Sequence, residues 1–418
     1  MQICIFEDIN YANFEPLVFS RPVYDLICGM TSLKEKVLRS YGDLKYSLHC
    51  RPYLADVVMK ENPAALINKI EDDHCLFING RIIAPQNLSE ILPLLPTEDK
   101  VFVNGETVIA AYLSGKNLDY KIKHLNDLFS VNDFDGLPVK ILDLKCANYL
   151  WDLININGEQ ISKDYDYVIH KSNRSNFLDK IDASVHLVNK EKIFIGKNVT
   201  LKPGVVLDAS NGPVFIDDNA FIYPNAFIEG PVYIGESSRI KSGATIYENV
   251  TISKVCKIGG EVEQAIFMPY SNKQHSGFIG HAYIGSWVNL GADTNCSDLK
   301  NNYSKIRVKL SSGEVNSGSQ FLGLMIGDHS KSAINTMFNT GSVIGFSCNI
   351  FGAGFPDKYV PSFTWGGAES YIHYDLQKAI DTAKVVLSRR KIIFDKEEEK
   401  LFHKIFELTK SDREKRGI

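Results

Sequence analysis

Two groups of residues carry the side chains that could do chemistry in this chain. The first stands just past short apolar runs: Asp8 follows Q-I-C-I-F, and Asn79 and Arg81 follow C-L-F-I. In an α/β sheet, ligands sit beyond the carboxyl ends of the strands, so these three polar groups are expected beside any ligand. The second group lies in the other half of the chain, where His275, His281 and His329 stand in Gly- and Ser-containing sequence. A neutral imidazole accepts a proton near pH 7, which is what an amine must lose as it attacks an acyl carbonyl. A carboxylate on the far ring nitrogen would fix the tautomer and stabilise the imidazolium. Backbone N–H groups would serve the developing oxyanion.

The elements that must position the histidines announce themselves by one pattern. From residue 216 to 258 an isoleucine recurs at every sixth position: Ile216, Ile222, Ile228, Ile234, Ile240, Ile246, Ile252 and Ile258. Neither a helix (3.6) nor an ordinary strand (2) has that period. It is the period of a parallel β-helix of hexapeptide turns, three to a coil, with the apolar residue pointing inward. The pattern begins near Ile193, slips by three residues at 210–213, pauses after Ile258 and resumes at Ile279, Ile284 and Leu290. Residues 292–325 are polar and break it, an excursion of the kind that carries function in solenoids. It returns at Ile326, Phe338, Ile344 and Ile350. His281 falls at a corner and is expected to be structural, His329 to shape a cleft, and Trp287 to pack against a neighbouring chain.

Ahead of the repeat, residues 2–6, 75–79 and 101–104 read as central strands of an α/β sheet with helices between them. Thr31 or Ser32 caps one such helix, with Glu35 at capping-box spacing from Ser32. After the repeat the periodicity turns helical. Leu376, Ala379, Ile380, Ala383 and Leu387 share one face, and Leu401, Ile405 and Leu408 form a second stripe. This tail is expected to cap the open end of the solenoid. The domains are therefore placed at 1–182, 183–370 and 371–418.

Composition excludes several partners. A net charge of −4 over 418 residues gives no basic footprint for nucleic acid or an anionic membrane. No run of about 18 apolar residues and no charged-then-apolar leader is present, so neither a span nor a secretion signal is expected. Eight scattered cysteines without a C-x-x-C pair argue for a reducing cytoplasm rather than a zinc or disulfide framework.

The order of an α/β domain followed by a hexapeptide prism resembles the bifunctional UDP-N-acetylglucosamine-forming family. In that family a uridylyltransferase is joined to a glucosamine-1-phosphate N-acetyltransferase. The likeness is to the variant sugar nucleotidyltransferase branch of Bacteroidetes-like bacteria. It is strongest over residues 258–367, in G-G-E-V-E-Q-A-I-F, S-N-K-Q-H-S-G-F-I-G-H-A-Y-I-G-S-W-V-N-L-G-A, S-D-L-K-N-N-Y and I-N-T-M-F-N-T-G-S-V-I-G. The resemblance implies a nucleotidyltransferase-like (Rossmann-like) α/β domain, a left-handed parallel β-helix and a helical tail. It places His275 on the catalytic base, Glu261 on its acidic partner and Asn289 on a sugar contact. Lys241, in K-S-G-A, takes the place of an arginine, and Lys273, Asp298 and Lys300 complete the expected substrate contacts. Phe278 replaces a tyrosine, and Glu263 stands where the family has a phosphate-binding lysine.

In the first domain, P-L-V-F-S-R-P-V-Y-D-L-I-C-G is similar to the segment that follows the family's glycine-rich loop, but that loop is here F-E-D-I-N-Y-A-N-F-E. Val23 falls on the family's lysine and Asn79 on a metal-binding aspartate. Asp8, Arg21, Lys34 and Asn79 are the candidate nucleotide-binding residues, with Asp8 as the metal ligand. Nucleotidyl transfer needs Mg²⁺ and cations to neutralise the triphosphate, and acetyl transfer needs acetyl-CoA. The implied substrates are a sugar phosphate, a nucleoside triphosphate and acetyl-CoA, in a homotrimer whose chains share the acyl-CoA groove. Two other readings remain open. One is a single-activity uridylyl- or thymidylyltransferase whose prism only assembles the protein, and the other a nucleotide-sugar-binding scaffold.

Overall fold

The eight isoleucines of the repeat are all fully buried, and their register shows why six is the period. Ile216, Ile234 and Ile252 pair in register on one face of a three-sided coil. Ile222, Ile240 and Ile258 pair on the second, and Ile228 and Ile246 on the third. Each coil thus adds one rung of three inward side chains, each such burial contributing about 1.5–3 kcal/mol. The corners are turned by left-handed residues, among them Asn219, Asn225, Ser237 and Asn249, a conformation that asparagine tolerates better than most residues. The result is a left-handed parallel β-helix with faces of eight, nine and five strands, the third continued by four more after the excursion. These features come from a computed structural model that describes residues 1–94, 98–125, 127–171, 174–178 and 181–418.

The N-terminal unit is a seven-stranded mixed sheet. In chain order its strands are β1 (Gln2–Phe6), β2 (Tyr46–Leu48), β3 (Leu66–Ile67), β4 (His74–Asn79), β5 (Lys100–Asn104), β6 (Thr107–Ser114) and β7 (Val139–Ile141). Strand β1 lies parallel between β2 and β4. The expected run at 101–104 is a strand, but it does not neighbour β4: the hairpin partner β6 is inserted antiparallel between them. The sequence of β6, T-V-I-A-A-Y-L-S, is apolar without alternation because both its faces are covered. Helix α1 (Leu33–Leu38) starts at Ser32 with a capping box to Glu35, as its spacing predicts. Helix α2 (Ala55–Glu61) follows β2.

The long helix α3 (Leu150–Lys171) lays this unit along the nine-stranded face of the prism. Asn157 donates to Asn249 O at 2.8 Å and accepts from Gly29 N at 2.7 Å. Thr251 Oγ1 donates to Gly29 O at 2.7 Å. Gly158 is required here, since a Cβ would stand 1.7 Å from the Asn249 side chain. The excursion also docks rather than standing free. Its hairpin, Arg307–Leu310 with Gly313–Asn316, buries Ile306, Val308 and Leu310 in one cluster with Phe14 and Val18.

The tail departs from the expected end cap. An antiparallel pair, Thr364–Gly366 with Tyr371–His373, finishes the third face. Helices α4 (Leu376–Ser388) and α5 (Lys396–Leu408) then join a core shared by both units. Ile380, Ala383, Leu401 and Phe402 pack with Leu54 and Val58 of the sheet domain and Phe346 and Phe363 of the prism. Apolar partners on two sides give the helices more buried area than the coil end alone. Leu408 is left exposed.

Candidate functional sites

Asp8 and Asn79 meet, as their places after β1 and β4 predict, but Arg81 joins them and closes the group. Asp8 accepts from Arg81 Nε at 2.9 Å and from Arg81 NH2 at 2.5 Å. Asn79 Nδ2 donates to the same carboxylate at 2.9 Å. The Arg81 side chain is fully buried, and its other nitrogen donates to Ala147 O at 2.6 Å. Both Asp8 oxygens are therefore occupied, and no cluster of three or more carboxylate, histidine or cysteine side chains able to hold a metal occurs among the described residues. The donor set as arranged does not fit a resident Mg²⁺. Beyond this group, past the carboxyl end of β1, opens a cavity of about 800 Å³ lined by Asp8, Asn10, Asn13, Thr107, Asn132 and Tyr149 among others. Its polar wall is rich in amide side chains that can both donate and accept.

Arg21 and Lys34 lie elsewhere. Arg21 reaches across to the prism, where NH1 donates to Asp328 Oδ1 at 3.1 Å and NH2 to Ser286 Oγ at 3.2 Å. Ser20 Oγ holds the same carboxylate at 2.7 Å. Lys34 is 2.6 Å from Asp25 Oδ1 and donates to Asn62 Oδ1 at 2.6 Å. Both line a cleft between the two units instead of the β1 cavity. Asp8 and Asn79 thus lie in one place and Arg21 and Lys34 in another, because the segment 17–25 runs towards the prism.

The acetyl-transfer candidates spread over two faces of the prism. His275 is exposed at the corner after the strand Asn272–Lys273. Glu261, also exposed, pairs in register with Phe278 on the next coil, three residues past His275. No hydrogen bond or ion pair joins His275 to Glu261 among the described residues. Lys273 cannot contact a substrate. It is fully buried and in register with Ile258, so its chain points into the prism. Its ammonium donates to Gly259 O at 2.8 Å and to His275 O at 2.9 Å, which fixes the corner that displays His275. Gly260 leaves room for it, since a Cβ there would come within 2.6 Å of Nζ.

Burial brings the Lys273 pKa down to about 8 from the ordinary value near 10.5. Between those two values the unfolded chain holds the proton and the folded chain does not, so stability rises with pH through that window. The melting temperature of wild type relative to Lys273→Met is expected to climb from pH 8 to pH 10, by an amount equivalent to about 3 kcal/mol at the full shift. A difference that stays flat with pH would show that no buried ammonium is present.

The histidine that does hold a carboxylate is His281, whose Nδ1 lies 2.8 Å from Asp298 Oδ2. Its ring stacks on Phe321 at 5.1 Å. Asp298 and Phe321 sit at the two roots of the excursion, where Leu322 N donates to Asp298 O and Gly323 N to His281 O. A signal for this pair was available: Ile279 pairs with Cys296 at an offset of 17, about one coil, and His281 and Asp298 share that offset. Lys300 Nζ donates to Lys305 O at 3.0 Å on the same excursion. Lys241 stands over the Tyr223 ring at 4.6 Å. Asn289 lines a cavity between the prism and the end of α4. Trp287, expected against another chain, stacks on Tyr270 of its own chain at 4.2 Å and 2°. His329 lines a cleft as expected, with its pKa pushed well below the usual value by burial.

The seven cysteines other than Cys146 are buried, and none is bridged. No helix among the described residues is long and apolar enough to cross a membrane.

Comparison with known proteins adds to this geometry. Residues 3–173 match the family model described as sugar nucleotidyl transferase. A bifunctional sugar-1-phosphate nucleotidylyltransferase/acetyltransferase of Sulfurisphaera tokodaii is 32% identical over 175 residues, 36% of this chain and 43% of that one. The chain thus spans less than half the length of that relative. The bifunctional protein GlmU of Methanocaldococcus jannaschii is 24% identical over 331 residues, 70% of this chain and 74% of that one. Among solved structures, a UDP-N-acetylglucosamine acyltransferase from Bacteroides fragilis is similar at 15% identity, over 53% of this chain and 95% of that one, with a TM-score of 0.26. The segment 3–173 is thus similar to the sugar nucleotidyl transferase family.

Proposed function

We propose that the protein is a two-site transferase of nucleotide-sugar synthesis. Its sheet domain joins a sugar-1-phosphate to a nucleoside triphosphate and releases pyrophosphate, and its prism moves acetyl from acetyl-CoA to an amino-sugar phosphate. The observation that carries the first half is the cavity of about 800 Å³ past the carboxyl end of β1, in the segment that matches the family. This is where an α/β sheet takes its ligand, and the amides around it suit the hydroxyls of a sugar or the edge of a base. Magnesium enters this reading as the counter-ion of the incoming triphosphate, as part of the substrate.

For the second half, His275 stands exposed on a corner fixed from inside by Lys273, free to receive the acceptor amine. Glu261 on the adjoining coil, Asn289, and the amides of the corner complete the proposed site, in the arrangement the family resemblance implies. The assembly is a homotrimer in the cytoplasm, with acetyl-CoA held between chains. Pyrophosphate release from magnesium complexes of the nucleoside triphosphates, across a panel of sugar-1-phosphates, tests the first half. Release with at least one pair is expected.

One observation favours a narrower reading. No lysine or arginine lines the β1 cavity among the described residues, whereas a triphosphate needs cations as it reacts. A chain that releases pyrophosphate with no pair, yet consumes acetyl-CoA, would keep only the prism's activity.

A further inference from the structure

The flank of the prism facing the end of α4, where Asn289 of the proposed acetyl-transfer site also lies, gathers cations to which that proposal assigns no role. Arg239 and Lys257 are directly opposite in register on neighbouring coils, an arrangement in which like charges destabilise a sheet. Arg389 and Arg390, which follow α4, complete a cavity of about 300 Å³ with Lys257 and Lys331. Burial lowers the Lys257 pKa, and the positive charges of Arg390, Arg239, Arg389 and Lys241 lower it further. Lys331 is likewise brought to about 8, chiefly by burial. Folding has concentrated like charge around a concave surface with no carboxylate in its lining among the described residues.

The cavity adjoins a second space. Tyr270 and Trp287, stacked on each other, line both it and the cleft of about 690 Å³ between the two units. Four residues that line this cleft each carry a buried polar atom with no hydrogen-bond partner among the described residues: Asp25 Oδ2, Ser253 Oγ, Glu398 Oε2 and His329 Nδ1. Buried polar groups are ordinarily hydrogen-bonded. The two carboxylate oxygens can only accept, so what satisfies them must bring donors such as hydroxyl or amine groups.

We propose that these two spaces form one site for a nucleotide-class ligand, with its phosphates among Lys257, Lys331, Arg389 and Arg390 and its hydroxyl-bearing part in the cleft. The aromatic wall between them offers a face to the ring that joins the two parts. The site lies within one chain and is separate from the β1 cavity, so it stands whether or not pyrophosphate release is found there.

Titration calorimetry of the full chain with three probes tests it: inorganic pyrophosphate, a nucleoside diphosphate and the corresponding nucleoside. Pyrophosphate is expected to bind, and the diphosphate to bind at least about tenfold tighter through its added hydrogen bonds. Arg389 is exposed and Arg390 half-buried, so Arg389→Ala/Arg390→Ala should keep the wild-type melting temperature. The double variant is expected to weaken pyrophosphate and diphosphate by about tenfold or more, since each lost bond is charge-assisted, and to leave the nucleoside unchanged. Lys257→Gln should weaken the same two probes. Nucleotide binding that persists unchanged in both variants belongs to another place and overturns the assignment, as does a chain that binds no pyrophosphate.

Discussion

Replacing Asp164 with alanine is expected to lower the unfolding free energy by about 3–5 kcal/mol, the cost of stranding a buried charge. Asp164, on α3, has no exposed surface, and neither does Lys36 on α1. The carboxylate holds Lys36 Nζ at 2.5 Å, Arg39 NH1 at 2.7 Å and the backbone N–H of Met30 at 2.8 Å. Burial, with a smaller push from the Arg39 charge, lowers the Lys36 pKa, and Asp164 is the group that offsets it most. Without that carboxylate the ammonium must either lose its proton or open the packing between α1 and α3. Since α3 also seats the sheet domain on the prism, the loss should show as a lower melting temperature of the whole chain. Lys36→Met combined with Asp164→Ala should recover a large part of it, because an apolar pair removes the stranded charge. A double variant no more stable than the single one would mean that packing, and not charge, explains the loss.

Alanine at His275 is expected to reduce acetyl transfer by about 10²–10⁴-fold, the usual contribution of a positioned general base, with thermal unfolding unchanged. The second half of that expectation follows from the structure: the side chain is exposed and bonds no other group among the described residues. His281→Ala is the matched control. It removes the Asp298 contact at the root of the excursion, so it should lower stability by about 1–3 kcal/mol, the cost of an unpaired acceptor, while the remaining folded protein still transfers acetyl. The opposite result, activity kept in His275→Ala and lost in His281→Ala at full folding, would move the base to the His281–Asp298 pair. That pair already has the geometry of a base and its orienting carboxylate.

The prism was legible because its signal is local and repeated: one inward side chain every six residues, each buried against copies of itself 18 residues away. The same arithmetic reaches further than the isoleucines. Side chains one coil apart are neighbours, which is how His281 finds Asp298 and Arg239 finds Lys257. What spacing within one coil could not show is which face another element covers. Lys273 is a substrate contact in the reading the family resemblance implies, and lysine is normally exposed, yet its register with Ile258 puts it inside the prism. Arg21 looked like a triphosphate ligand because it stands two residues before the position of a family lysine, yet Asp328, 307 residues later, holds it. In the sheet domain, β6 was hidden because a strand covered on both faces has no alternation to read. The pairing of α4 and α5 with both units depends on contacts far apart in sequence, which the stripe of apolar residues predicts only as burial.

The most direct test of the two-site account is a single incubation of the protein with acetyl-CoA, an amino-sugar-1-phosphate and the magnesium complex of a nucleoside triphosphate, followed by identification of the products by mass. The account predicts free coenzyme A, pyrophosphate, and a nucleotide sugar heavier by one acetyl group than its unacetylated form. A mixture in which neither the acetyl nor the nucleotidyl group has moved, across all four common nucleotides and the available amino sugars, would contradict it.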